Sequence, residues 1–145
     1  MSISTKGATP LDGLCVGTGG VPFCPNDEDS AFATYERNGR SCAVICEMCD
    51  GEPYLKFCPD WQIPAGARSR DAWNRFAFES DDDRMLELHV DFEDGEVRFF
   101  HSLGSIDDLD VVARAIDEGV NFVTSIYPSV VDCVRAQLKS ACRVR

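Results

Sequence analysis

The side chains with the most chemical capacity are thiols. Cys42, Cys46 and Cys49 have the spacing C-x3-C-x2-C, and Cys58 follows as a fourth candidate ligand. Three thiolates at that spacing can hold an iron–sulfur cluster, and four can hold zinc. A zinc-binding or thiol-redox module built on Cys42, Cys46, Cys49 and Cys58 is therefore one functional reading. Local geometry opposes it. The stretch reads as a β-strand, on which residues four apart lie ~13 Å from one another, and Cys46 and Cys49 would point to opposite faces. Thiols so placed behave as small hydrophobes. Cys15, Cys24, Cys133 and Cys142 bring the total to eight. Cys15 and Cys24 can pair with each other or with Cys49 or Cys58, or stay free. Cys133 and Cys142 would lie on opposite sides of one helix. With no export signal in view, free thiols or metal ligands are expected ahead of a disulfide framework.

Other constellations carry less. His89 and His101 are the only histidines, and they fall on opposite faces of one hairpin. They cannot share a metal, and no Ser-His-Asp or Cys-His arrangement forms around them. Asp81-Asp82-Asp83 lacks the alternation and closing Glu of a calcium loop. Asp107, Asp108 and Asp110 sit in the first turn of a helix, where the helix dipole accounts for them. Gly17-Thr18-Gly19-Gly20 lacks the Gly-Lys-Ser/Thr ending of a phosphate loop. No catalytic residue, cofactor site or metal ligand is assigned. A third, weaker reading is an enzyme whose site lies between the N-terminal arm and the sheet.

The charge balance narrows the partners. The chain has 145 residues and a net charge of −11. Nucleic-acid backbones and anionic membrane surfaces are recognised by clustered Lys and Arg, so neither is an expected partner. No run approaches the ~18 apolar residues of a membrane span, and Lys6 is not followed by an apolar signal core. A cytoplasmic location is the expectation.

The elements that must position these side chains follow from periodicity. Residues 1–29 are punctuated by Gly and Pro and read as an arm; residues 30–145 read as one domain. Asn38-Gly39 and Asp50-Gly51 are two-residue hairpin turns. They set Tyr35 opposite Cys42, Ala33 opposite Val44 and Ala31 opposite Cys46, then Met48 opposite Pro53, Cys46 opposite Leu55 and Val44 opposite Phe57. Both placements agree on one apolar face. A helix is expected over 67–78, with Ala72, Trp73, Phe76 and Ala77 on one side. Asp94-Gly95, as a third turn of the same kind, sets Phe92 opposite Val97, Val90 opposite Phe99 and Leu88 opposite His101. Ser105 should open a long helix with Asp108 in its capping box. Leu109, Val112, Ala113, Ile116, Val120, Val123 and Tyr127 form its apolar stripe, and Pro128 should kink or restart it. The expected fold is a two-layer α+β domain: a five-stranded antiparallel sheet, in the order β-β-β-α-β-β-α, with helices packed on one face.

Such a sheet leaves its other face without helices. Phe32, Ile45 and Tyr54 of the first three strands, and Met85, His89 and Phe100 of the later hairpin, fall on that outer face. They are the candidate protein-binding residues, open to another protein or a peptide segment, to a second copy in a homodimer, or to the chain's own arm.

The stretch Val90-Asp91-Phe92-Glu93-Asp94-Gly95-Glu96-Val97-Arg98-Phe99-Phe100-His101-Ser102-Leu103 resembles the central hairpin of YbjN-like domains. In these an acidic Asp-Gly turn precedes a Val-Arg-aromatic strand and a long helix. Asn121, and Tyr127-Pro128 before Val130-Val131, resemble that helix, and Ile63-Pro64 resembles the exit from the preceding strands. The likeness spans roughly residues 31–140. It implies a fold similar to type III secretion chaperones, which are small acidic proteins that often dimerise and hold extended segments of other proteins. It also implies a non-enzymatic regulatory or chaperone-like adaptor role, and it supplies no active-site residues. The Gly/Pro/Cys-rich arm, in place of the usual N-terminal helix, and the number of thiols depart from the pattern.

Overall fold

The computed structural model describes residues 24–27, 30–80, 86–104 and 108–143. In chain order the elements are β1 (Cys24–Asp27), β2 (Ser30–Arg37), β3 (Arg40–Cys49), β4 (Glu52–Pro59), a 3-10 turn (Ala65–Ala67), α1 (Arg70–Ser80), β5 (Glu87–Val90), β6 (Val97–Ser102), α2 (Leu109–Ser125) and α3 (Tyr127–Arg143). The five expected strands and their helices make an α+β fold, and Cys24–Asp27, read from sequence as arm, adds a short sixth strand. The sheet runs β1-β2-β3-β4-β6-β5.

The first two hairpins form as the turn chemistry requires. Asn38 and Gly39 have φ of 55° and 74°, and Asp50 and Gly51 have 54° and 80°. Both residues of each pair are thus left-handed, the signature of a type I′ turn, whose twist matches that of the flanking strands. Tyr35 faces Cys42, Val44 faces Ala33 and Phe57, and Cys46 faces Ala31 and Leu55, as expected.

The third hairpin differs. Val90 faces Val97 and Leu88 faces Phe99, a slip of two residues from the expected register. Asp94 is not left-handed; only Gly95 is, with φ 78°. Asp91 explains the change. Its carboxylate accepts from the Glu93 and Asp94 N–H groups at 2.9 and 3.4 Å, and its carbonyl accepts from Gly95 N–H at 2.8 Å. These local bonds compete with a two-residue turn and widen the loop to residues 91–96. Arg68 then clamps it: the guanidinium donates to the carbonyls of Ile63, Glu93 and Asp94. Ile63 N–H donates to Gly95 O at 2.8 Å. The fit is tight enough that a Cβ on Gly95 would lie 2.1 Å from Ile63 O. An even slip leaves every side chain on its expected face. Val97 and Phe99 are buried, and Leu86, Leu88, Val90, Phe92 and Leu103 pack against the core.

The helices cover one face. α2 begins at Leu109, capped by Asp108, whose side chain accepts from Asp110 and Val111 N–H. The expected start at Ser105 lies outside the described residues. Val112, Ile116, Val120 and Val123 are fully buried against β2–β4. Gly119 permits this close approach, since a Cβ there would sit 2.2 Å from the Phe57 ring. The long helix restarts at Tyr127, with Pro128 in the first turn of α3, where its missing N–H costs nothing. α1 begins three residues later than expected and buries Trp73, whose Nε1 donates to Ala67 O at 2.6 Å. The tip of the first hairpin is tied to α2: Arg37 pairs with Asp117 at 2.7 Å, and Asn38 Nδ2 donates to Thr124 Oγ1 at 3.1 Å. Among the described residues no helix is long and apolar enough to cross a membrane.

Candidate protein-binding face

Alternation along β2, β3, β4, β6 and β5 sends every second side chain away from the helices. Cross-strand register lines these side chains up. Phe32 faces Ile45, Ile45 faces Lys56, Lys56 faces Phe100 and Phe100 faces Glu87. One row therefore crosses the sheet from β2 to β5, apolar at Phe32, Ile45 and Phe100. Phe32 is 40% exposed, and Ile45 and Phe100 are half-buried by their neighbours. Tyr54 lies one row away, between Glu47 and Ser102. His89 is exposed and meets the Phe100 ring edge-on, with centroids 4.7 Å apart.

Five of the six residues assigned to the outer face from sequence are thus brought together. Met85 lies outside the described residues. Lys56, which alternation along β4 places on the same face as Tyr54, stands at the centre of the row. Lys56 is paired with Glu47 at 2.9 Å, and Arg98 with Glu96 at 3.0 Å. Glu36, Glu52 and Glu87 are exposed on the same face. Tyr54 Oη donates to Glu52 Oε2 at 3.3 Å, and that carboxylate's charge raises the phenol above its ordinary range. A hollow of about 460 Å³ deepens one end of the face, between Thr34, Ala43, Cys58, Trp61 and Arg98.

The thiols divide between the two faces. Cys42 and Cys46 are buried under the helices, and burial, aided by Cys58 and Glu47 respectively, pushes each thiol up to about 12. Cys58 pairs with Ala43, on the outer face, and Cys49 is exposed at the end of β3. Burial raises the Cys58 thiol as well, against the opposing pull of Arg98 and Lys56. The strand therefore separates the triad as its alternation requires, and among the described residues no three His, Cys, Asp or Glu side chains form a group that could hold a metal ion.

A second concavity lies between α1 and α3. This open groove of about 1030 Å³ is lined by Arg75, Asp71, Asp132, Cys133 and Gln137, among others. Gln137 bridges its walls, accepting from Ser69 N–H at 2.9 Å and donating to Cys133 Sγ at 3.5 Å. Burial raises the Cys133 thiol, against the opposing pull of its hydrogen bond with Gln137. No family model, curated protein or solved structure matches this chain.

Proposed function

We propose that this protein is a non-enzymatic adaptor, of regulatory or chaperone-like type, that holds an extended segment of another protein on its outer sheet face and works in the cytoplasm. The observation that carries the reading is the row Phe32–Ile45–Lys56–Phe100 on the side of the sheet that none of the described helices covers. Phe32 and Ile45 are adjacent in that row, and apolar side chains on an exposed face favour association with a complementary apolar surface. The chemistry of the partner follows from the charges. With Glu87 in the row, Glu36 and Glu52 further along the same face and −11 on the whole chain, an apolar segment carrying Lys or Arg fits better than an acidic one. The same charge opposes self-association through this face, so a homodimer ranks below a peptide partner. The resemblance to YbjN-like domains supports a binding role of this kind.

The test is titration of a short peptide of alternating Val and Lys, with alternating Val and Glu as control. The Val/Lys peptide should bind, and Ile45→Asp should weaken it about 10-fold or more, as loss of a central anchor does. Equal binding of both peptides, or binding indifferent to Ile45→Asp, would remove the reading. Sedimentation of the peptide-free protein as a stable dimer that Ile45→Asp dissociates would assign the face to a second copy instead.

A further inference from the structure

The sheet ends at β5. Among the described residues β6 is its one neighbouring strand, so the other edge of β5 presents backbone N–H and C=O groups to which a further strand can bond. The helix side is thinly covered here. α2 lies over β2, β3 and β4. Beside β5 a cleft of about 260 Å³ opens between the end of α1 and the sheet, lined by Phe76, Phe78, Leu86, Leu88, Phe99 and Phe122, among others. Phe78 is 83% exposed, and Leu86, Leu88 and Val90 on the helix side of the strand are only half-buried. The outer side of the same strand carries Glu87 and His89, both exposed and 3.5 Å apart.

We propose that β5 pairs antiparallel with β5 of a second copy across a two-fold axis, in the register that sets Leu88 opposite Leu88. Charge selects both the occupant and the register. An axis perpendicular to the sheet keeps the helix side of one copy with the helix side of the other, so one residue of β5 must face itself. If that residue is Glu87, His89 or Val90, Glu87 falls opposite Glu87, Asp91 or Glu93 of the other copy. Like charges directly opposite destabilise a strand pair. If it is Leu88, Glu87 faces the partner's His89, whose ring N–H can donate to the carboxylate, and Leu86 faces the partner's Val90. Symmetry makes each of these two contacts occur twice. The added strand lies along the mouth of the cleft beside β5 and covers the half-buried Leu86, Leu88 and Val90. The −11 on each copy opposes association, but charges further apart than a Debye length, ~8 Å at physiological salt, are largely screened. This surface is separate from the peptide row. Pairing at β5 joins two outer faces edge to edge and leaves both open to a partner segment.

The experiment is sedimentation of the full chain over a range of concentrations. A reversible monomer–dimer equilibrium is expected, and amides of β5 should gain protection from hydrogen exchange as concentration rises. Glu87→Lys is the decisive variant, at an exposed position that leaves the core untouched. In the Leu88 register it removes two symmetry-related contacts, each worth about 3-fold, and should weaken the dimer about 10-fold. In the other three registers it relieves or merely exchanges a like-charge contact, so the dimer would be tightened or unchanged. Glu87→Lys with His89→Glu sets Lys opposite Glu and should restore at least the original affinity. A chain that stays monomeric at millimolar concentration overturns the proposal. So does a dimer that Glu87→Lys leaves unchanged or tightens, or one that the double variant fails to restore. Ile45→Asp should leave the dimer intact; a dimer that it dissociates is built on the outer face and overturns the pairing at β5.

Discussion

Gly119→Ala should destabilise this protein even though it improves a helix. In an exposed helix interior the change is worth about 1 kcal/mol in favour of Ala. Here the new Cβ would lie 2.2, 2.4 and 2.8 Å from three atoms of the Phe57 ring. Carbon atoms sit comfortably at about 3.5–4.0 Å, so over 1 Å must be found. Phe57 is fully buried and can yield only by displacing its core neighbours. Lifting α2 instead would open a gap beneath Val112, Ile116, Val120 and Val123, and a gap of 0.5–1 Å forfeits roughly a quarter to a half of each dispersion contact. Overpacking of this severity costs about 3 kcal/mol, the upper end for an inserted methyl, leaving a net loss of about 2 kcal/mol. Urea denaturation should show the midpoint falling by about 1 M, at a slope of about 2 kcal/mol per M. The close approach also makes the effect depend on Phe57. In a Phe57→Leu background the same substitution should be neutral or stabilising, a coupling of at least about 2 kcal/mol between the two sites. A midpoint that rises in the wild-type background, or strictly additive effects in the double variant, would refute the packing argument.

Four further outcomes follow from the same structure. Arg68→Ala leaves the Ile63, Glu93 and Asp94 carbonyls without their shared donor and should cost about 2–3 kcal/mol. Arg68→Lys should recover only part of this, because an ammonium cannot reproduce the fork; full recovery in urea denaturation would argue against it. Stability should fall with alkali. Burial raises Cys42 and Cys46 from 9.0 to about 12, so above pH 9 the unfolded chain releases these protons while the folded chain keeps them. Their contribution is complete below pH 9 and is lost as pH rises toward 12, at about 1.4 kcal/mol per pH unit per thiol. Urea midpoints at pH 8 and pH 10 measure this, and the extra slope should vanish in Cys42→Val, Cys46→Val. In the native protein at pH 8, alkylation followed by mass spectrometry should label Cys49 rapidly and leave Cys42 and Cys46 unmodified until unfolding; rapid labelling of Cys42 or Cys46 would contradict their burial. Ile45→Asp, whose side chain faces away from the helices but is half-buried on a central strand, should cost about 1 kcal/mol in urea denaturation while weakening peptide binding.

Most of the positioning of the outer face follows from local chemistry. Asn38-Gly39 and Asp50-Gly51 specify two turns with both central residues left-handed, and those turns alone register three strands. From that register the inward aim of Cys42, Val44, Cys46, Leu55 and Phe57, and the outward aim of Phe32, Ile45 and Tyr54, follow by alternation, as does the scattering of the cysteine triad. The later hairpin was legible in its faces but not in its register. Asp-Gly is a turn signal in isolation, yet the Asp91 carboxylate and the Arg68 fork bind the loop in another shape, and Arg68 lies too far off in sequence for a local reading to include it.

By itself, then, the sequence determined which side chains face the helices and which face away, because the two-residue period of a strand and the two type I′ turns are local properties. Tertiary structure alone decided that Phe100 joins Phe32, Ile45 and Lys56 in one row. That alignment depends on β6, not β5, pairing with β4. This choice is made by long-range contacts, through the packing of α2 over the sheet, the glycine that admits Phe57 against it, and the clamp on the 91–96 loop. The stripe of α2 is periodic in the chain, but its placement over β2–β4 and the clamp on the loop are not.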